Sequence, residues 1–224
     1  MFSSLHSPFT SDYTISDIRG DTGQKGSAVE DYTKTLELAD RTMVTLELLT
    51  DNNLDALIKF FQRLPEKDRL YLRSDITDPE NVRRRFGNPD YDNMFPVIGH
   101  VDGEIIGIAT IFRASFGWMR NLGEVRICIA PEFQQKGLST LLVRELFYQA
   151  LKMNIYKLQA ELMDTQKAAI KAFEHLGFKQ EAVLPKHVTD IKGVRRDLVI
   201  MALDVEDLWA TQEEFIKSPD ARIQ

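Results

Sequence analysis

The segment IAPEFQQKGLSTLL, residues 129–142, holds the residue types best suited to binding a phosphate. A strand pattern ends near Ile129, the chain turns through Pro131, and a helical pattern begins around Gln135. The first amides of a helix have no intrahelical acceptor and lie at the positive end of its dipole. Gly137 permits close backbone approach, and Ser139 is small enough to keep that surface open. Such a turn can cradle a phosphate without a metal or a P-loop lysine, and Lys136 adds charge at its rim. A plain strand-to-helix turn in which Gly137 is only a packing residue has the same spacing, so spacing alone leaves both readings open. The segment lacks the Walker pattern and the three-glycine dinucleotide pattern.

The strand that leads into this turn is LGEVRICIA. It alternates Val125, Ile127 and Ile129 on one face with Glu124, Arg126 and Cys128 on the other. Glu124, at the start of the strand, is either a surface carboxylate or a general base. Cys128 has no base partner visible in the sequence and reads as a small apolar strand residue. It is the only cysteine, so an internal disulfide and a cysteine-rich zinc site are excluded, and the four histidines show no metal-ligand spacing.

The elements that must position these residues follow from periodicity. KTLELADRTMVTLELL reads as a hairpin that turns near Asp40, with Val44, Leu46 and Leu48 on one face. Leu54, Leu57, Ile58, Phe61 and Leu64 form a helical stripe, started by Thr50 or Asp51 and ended by Pro65. Asp78-Pro79 begins a second helix that runs to Gly87, and EKDRLYLRSDIT between them belongs to a helical region over the sheet. Asp102-Gly103 joins two apolar runs as a hairpin. A long helix with Leu138, Leu141, Leu142, Leu146, Phe147 and Ala150 on one side follows the phosphate turn. KLQAELM is a strand, and Ala169, Ala172, Phe173 and Leu176 line a short helix closed by Gly177. FKQEAVL and RRDLVIMAL are the last strands, joined by PKHVTDIKG.

The order of elements describes an α/β (α+β) domain on one mixed sheet, here assigned to residues 36–209, with a peripheral arm at 1–35 and a tail at 210–224. A chain of 224 residues, 43% of them hydrophobic, can bury a substantial core. The net charge of −6 argues against a nucleic-acid partner. No apolar run approaches a membrane span, and the N-terminus lacks a secretory pattern, so a cytoplasmic protein is expected.

Gln134, Gly137 and Ser139 fill the three marked positions of a pattern that resembles the acyl-CoA signature of the GNAT (GCN5-related N-acetyltransferase) superfamily. That signature is Gln or Arg, two residues, Gly, one residue, then Gly or Ala. VRICIAPEF resembles the family's fourth strand. TQKAAIKAFEHLGF resembles its next motif, with Gln166 where Asn is frequent and Phe173 where Tyr is frequent, and GVRRDLVIMAL resembles its closing strand. The resemblance spans about residues 43–203. VTLELLTDNNLDALIKFFQRLPEKDRLYLR further resembles the acetyltransferase domain of some bacterial protein-lysine acetyltransferases.

This resemblance implies a GNAT-like fold whose mixed central sheet is mostly antiparallel, and direct acetyl transfer from acetyl-CoA to a primary amine in a ternary complex. The acceptor would be a small amine or a protein lysine. Backbone amides of Gln135, Lys136, Gly137, Leu138, Ser139 and Thr140 would hold the pyrophosphate, and the strand of Ile127 and Ile129 would run beside the pantetheine arm. A splay between the family's fourth and fifth strands, around Ile129 and Lys157–Ala160, would admit the thioester, whose carbonyl the Ile129 amide would polarise. Glu124 would act as general base, and no metal is implied. Phe173 departs from the family pattern, because phenylalanine cannot protonate a leaving thiolate; Tyr148 and Tyr156 are substitutes by residue type only. Phe116 and Trp118, and Lys186 and His187 in the last connection, would border the acceptor site. The alternative is an acyl-CoA-binding regulatory domain with weak catalysis, and a monomer and a homodimer are both compatible with the sequence.

Overall fold

The computed structural model describes residues 32–69 and 75–207. Eight strands form one sheet: β1 (Thr33–Glu37), β2 (Met43–Leu48), β3 (Met94–Val101), β4 (Glu104–Arg113), β5 (Leu122–Ile129), β6 (Lys157–Met163), β7 (Lys179–Thr189) and β8 (Arg195–Asp204). Their order across the sheet is β1-β2-β3-β4-β5-β6-β8-β7. Every neighbouring pair is antiparallel except β5 and β6, which run parallel. A parallel pair requires a crossover, and the long helix between β5 and β6 supplies it. This is the mixed, mostly antiparallel sheet expected from the sequence. β1 begins at Thr33, so the first strand takes in residues 33–35 that the sequence reading assigned to the arm. The rest of that arm, residues 1–31, and the tail at 210–224 lie outside the described residues.

Helices cover both faces. On one face lie α1 (Leu54–Arg63), the four-residue α2 (Glu66–Arg69) and α3 (Pro79–Phe86). Leu57, Phe60, Phe61, Val82 and Phe86 pack there with Ile98, Ile105 and Ile108 of the sheet. Asn53 Oδ1 accepts the Thr50 N–H at 2.7 Å just before α1, and Asp78 Oδ1 accepts the Glu80 N–H at 3.0 Å at the start of α3. On the other face lie α4 (Leu138–Lys152) and α5 (Lys167–His175). Leu142, Leu146 and Phe147 are fully buried against Val44, Leu46, Ala109 and Val125. Each such side chain contributes about 1.5–3 kcal/mol. An exposed ion pair such as Arg83–Asp55, at 3.0 Å, contributes about 0–1 kcal/mol, so apolar packing seats the helices.

The turns carry the geometry read from the sequence. Asp102 and Gly103 take φ 51° and 80°, the left-handed pair of a two-residue hairpin. Gly177 takes φ 88° after α5, where its N–H donates to Glu174 O and the Phe178 N–H to Phe173 O, both at 3.0 Å. Two expectations are corrected. PKHVTD is not a connecting loop but the second half of β7, whose register shifts between Leu184 and Val188. There Lys186 takes φ 51° and donates its N–H to Asp197 Oδ1 at 2.8 Å. Ala172, expected on the core stripe of α5, is exposed on the side of the helix that faces a cleft.

Candidate active site

β5 and β6 pair only at Leu122–Lys157, Gly123–Leu158 and Glu124–Gln159. Past that point they diverge, so the gap lies between Val125–Ile129 and Ala160–Met163. On β6 it opens three residues later than expected, because Lys157–Gln159 is still paired. The phase of the ladder decides what lines it. Ala130 N–H donates to Ile106 O at 2.8 Å, and bonding alternates along an antiparallel pair. Cys128, Arg126 and Glu124 therefore spend their backbone groups on β4. Val125, Ile127 and Ile129 turn theirs towards the gap, a row of peptide donors and acceptors suited to pairing with an extended amide-containing arm.

A cleft of about 530 Å³ passes through this gap. On the α4–α5 side its walls are Ile127, Ile129, Gln134, Gln135, Ser139, Gln166 and Phe173, with Ala168, Ala169 and Ala172 of α5 giving a low wall. On the α1–α3 side its walls are Phe61, Ile76, Phe86 and Phe112, with Asp68, Arg85, Glu124, Arg126 and Glu161. The structure thus brings Glu124, Ile127, Ile129, Gln134, Gln135, Ser139, Gln166 and Phe173 to one cleft.

At the donor end the helix starts later than expected. A short 3-10 turn spans Pro131–Phe133, Gln135 takes φ 63°, Gly137 takes φ 92°, and α4 begins at Leu138 rather than near Gln135. The free first-turn amides are those of Leu138, Ser139 and Thr140, while Gln135 and Lys136 belong to the loop before them. A Cβ built on Gly137 would meet no atom within 4 Å, so the space in front of the helix start is open. Leu138 contributes only its backbone there, since its side chain is fully buried in the core. Gln134 Nε2 donates to Ile129 O at 3.3 Å and ties the loop to the end of β5. Gln166 Oε1 accepts the Met163 N–H at 2.8 Å and so shapes the turn from β6 into α5. Lys136 departs from its expected role: its ammonium pairs with Asp40 Oδ2 at 3.0 Å, and Ala39 N–H donates to Lys136 O at 3.3 Å. Hydrogen bonds from Thr42 and Lys136 hold the Asp40 carboxyl down at about 2. The tip of the first hairpin therefore braces the loop before α4.

At the other end, Arg126 grips Glu124 with two bonds, Nε to Oε1 at 2.7 Å and Nη2 to Oε2 at 3.2 Å. The Arg126 and Arg85 guanidinium groups both lie against the Phe112 ring, at 4.9 and 4.6 Å from its centroid. Glu161 of β6 lines the same cleft and accepts from Gln159 Nε2 at 3.0 Å. It was missed in the sequence, although its alternation with buried Leu158, Ala160 and Leu162 places it on the face of Glu124 and Gln159. Asp68 was missed as well, in a segment with no clear period.

Phe173 is buried with its ring edge-on to Phe178 at 4.9 Å, as a core aromatic should be. No tyrosine lines the cleft among the described residues. Tyr148 is buried beside Phe147 in α4, and Tyr156 is half exposed just before β6. Phe116 and Trp118 stand almost fully exposed in the β4–β5 loop and are not cleft walls. Burial, with the charge of Asp68 behind it, pushes the Cys128 thiol up to about 12. Thiolate is then scarce at neutral pH. Cys128→Ser is expected to leave acetyl transfer within about threefold of the parent, and the native thiol should resist iodoacetamide near pH 8 until the chain unfolds. Fast alkylation of the folded protein would contradict the protonated state.

No group of three metal-binding side chains occurs among the described residues, and none of the described helices is long and apolar enough to cross a membrane. A mixed sheet parted at one parallel pair, with a glycine-led helix start at the mouth of the gap, defines the architecture of acyl-CoA acyltransferases. The Acetyltransferase (GNAT) family matches residues 57–178, and the chain belongs to that family. It is 30% identical over 79 residues to the [ribosomal protein bS18]-alanine N-acetyltransferase of Escherichia coli strain K12, a match that covers 35% of this chain and 53% of the relative. The chain thus spans about half the length of the curated relative it matches. The GNAT domain of S. lividans PAT superposes with a TM-score of 0.64 at 18% identity, covering 77% of this chain and 96% of that domain. The structure of yncA from Salmonella typhimurium with its cofactor acetyl-CoA superposes with a TM-score of 0.63 at 20% identity, covering 72% of this chain and 94% of that one.

Proposed function

We propose that this chain is an acetyl-CoA-dependent N-acetyltransferase that acts on a primary amine. One observation carries the reading: a single cleft runs from an open, glycine-led helix start, through the gap between β5 and β6, to carboxylates on the opposite face. The residues fit acetyl-CoA. The amides of Leu138, Ser139 and Thr140 suit the pyrophosphate, and the gap-facing peptide groups of Ile127 and Ile129 suit the amides of the pantetheine arm. The alanines of α5 leave room beside that arm. Bound there, the group supplies an acetyl thioester. The Ile129 N–H is aimed into the gap and can donate to an oxygen that gains negative charge. On the far side an ammonium gives one proton to a cleft carboxylate, with Glu124 as the assigned base. The neutral nitrogen then forms the N–C bond as the C–S bond breaks, and the second proton shed by that nitrogen goes to the departing thiolate, giving the amide and the CoA thiol.

The Escherichia coli relative is by its name an alanine N-acetyltransferase of ribosomal protein bS18, and the resemblance of the first helical region points to protein lysine. Both are primary amines. The second reading, an acyl-CoA-binding domain with little catalysis, is favoured by the packing of Phe173 and the lack of a tyrosine on the described cleft walls. Titrating the full chain with acetyl-CoA by calorimetry, then measuring thiol release with lysine peptides and small amines, separates the two. Roughly micromolar binding together with amine-dependent thiol release is the expected result. Binding without release from any amine supports the regulatory reading, and no binding by folded protein removes both.

A further inference from the structure

The α1–α3 wall of the cleft holds a carboxylate to which the donor chemistry assigns no task. Asp68 sits on α2 and lines the cleft, whose walls also include Phe61, Ile76, Phe86 and Cys128. Its Oδ2 is buried and accepts no hydrogen bond, and no ion pair reaches it among the described residues. Of the cleft cations, Arg126 holds Glu124, Arg85 lies over Phe112, and Lys167 belongs to α5 on the other side of the gap. The neighbouring Arg69 leaves its own buried Nε without a partner rather than turning it to Asp68. A carboxylate oxygen withdrawn from water without a donor is costly. The missing partner is a hydrogen-bond donor that carries positive charge. The charge of Asp68 reaches the Cys128 thiol, and Cys128 belongs to the part of β5 that has parted from β6.

We propose that Asp68 binds the ammonium of the acceptor, and that Phe61, Ile76 and Phe86 hold the alkyl stem of that amine. This rests on the acetyltransferase reading and narrows it. The preferred acceptor is a primary ammonium on an unbranched methylene chain, the chemistry of a lysine side chain or an aliphatic amine. The proton released before attack passes to another carboxylate of the cleft.

The test uses the full chain with n-butylamine near neutral pH, and n-butanol as the uncharged control. In the unliganded and CoA-saturated protein alike, n-butylammonium should shift the amide resonances of Asp68 and Cys128 in a saturable way, and n-butanol should bind far more weakly. Asp68→Asn should raise the KM for n-butylamine about ten- to a hundred-fold, with kcat within about threefold and acetyl-CoA affinity unchanged. Asp68→Glu should recover part of the loss. Equal binding of the alcohol and the amine, an unchanged KM in Asp68→Asn, or a fall in kcat at constant KM would each overturn the assignment. If the parent protein fails to bind acetyl-CoA, the acetyltransferase reading has failed instead. The resonance shifts of the unliganded chain still decide whether Asp68 holds an ammonium.

Discussion

Gly137→Val is expected to lower acetyl-CoA affinity about a hundred-fold or more while the protein remains folded. Gly137 takes φ 92° and ψ −2° immediately before Leu138, the first residue of α4. A β-branched residue in that left-handed region is strained by about 1–2 kcal/mol. The strain is relieved only by rotating the peptide groups that aim the Leu138, Ser139 and Thr140 amides. A Cβ at this position would touch no protein atom within 4 Å, so the effect is not a clash within the fold. The added side chain instead projects into the space a phosphate must enter. The melting temperature should fall by only a few degrees, because strain of that size is small against the packing of α4. Calorimetric titration with acetyl-CoA alongside a thermal melt checks both halves. Unchanged affinity in a variant that melts near the parent would remove the phosphate assignment from this turn.

Much of this site was legible because its signals are local. Gln134, Gly137 and Ser139 stand at fixed offsets on a strand-to-helix turn, and Asp102-Gly103 and Gly177 mark turns through their backbone needs. The start of α4 was misplaced by three residues because Gln135 is a residue type at home in helices. Only the three-dimensional loop, tied by Gln134 to Ile129 and by Lys136 to Asp40, holds it at positive φ. The partner of Lys136 lies almost a hundred positions away, so no window of sequence could show that its charge is already engaged. PKHVTD reads as a connection because Pro185 interrupts the pattern, yet β7 is an edge strand and tolerates a proline at a register shift. Asp68 was invisible for a different reason, and Glu161 could be placed on a strand face but not in a cleft. A carboxylate has no period of its own, and its place in a cleft depends on which strand parts from which.

The second large effect concerns the carboxylate that takes the proton. Glu124→Gln is expected to lower kcat about a hundred- to ten-thousand-fold near neutral pH, with acetyl-CoA affinity within about threefold of the parent. The amide keeps the shape and can still accept from Arg126, so the change removes basicity more than packing. The pH dependence carries the sign. In the parent, the base removes a proton from an ammonium that seldom loses it unaided at neutral pH. In the variant, only amine already neutral in solution can react, so its rate should climb tenfold per pH unit up to the pKa of the amine. The ratio of parent to variant is then largest at low pH and shrinks as the pH rises. Glu161→Gln is the necessary comparison, since this residue faces the same gap from β6 and shares the face of Glu124. Arg126 engages both oxygens of Glu124, which leaves fewer lone pairs to receive a proton. If Glu161→Gln shows the steep, pH-dependent loss and Glu124→Gln does not, the base belongs to β6, and the Glu124–Arg126 pair serves to hold the rim of the cleft.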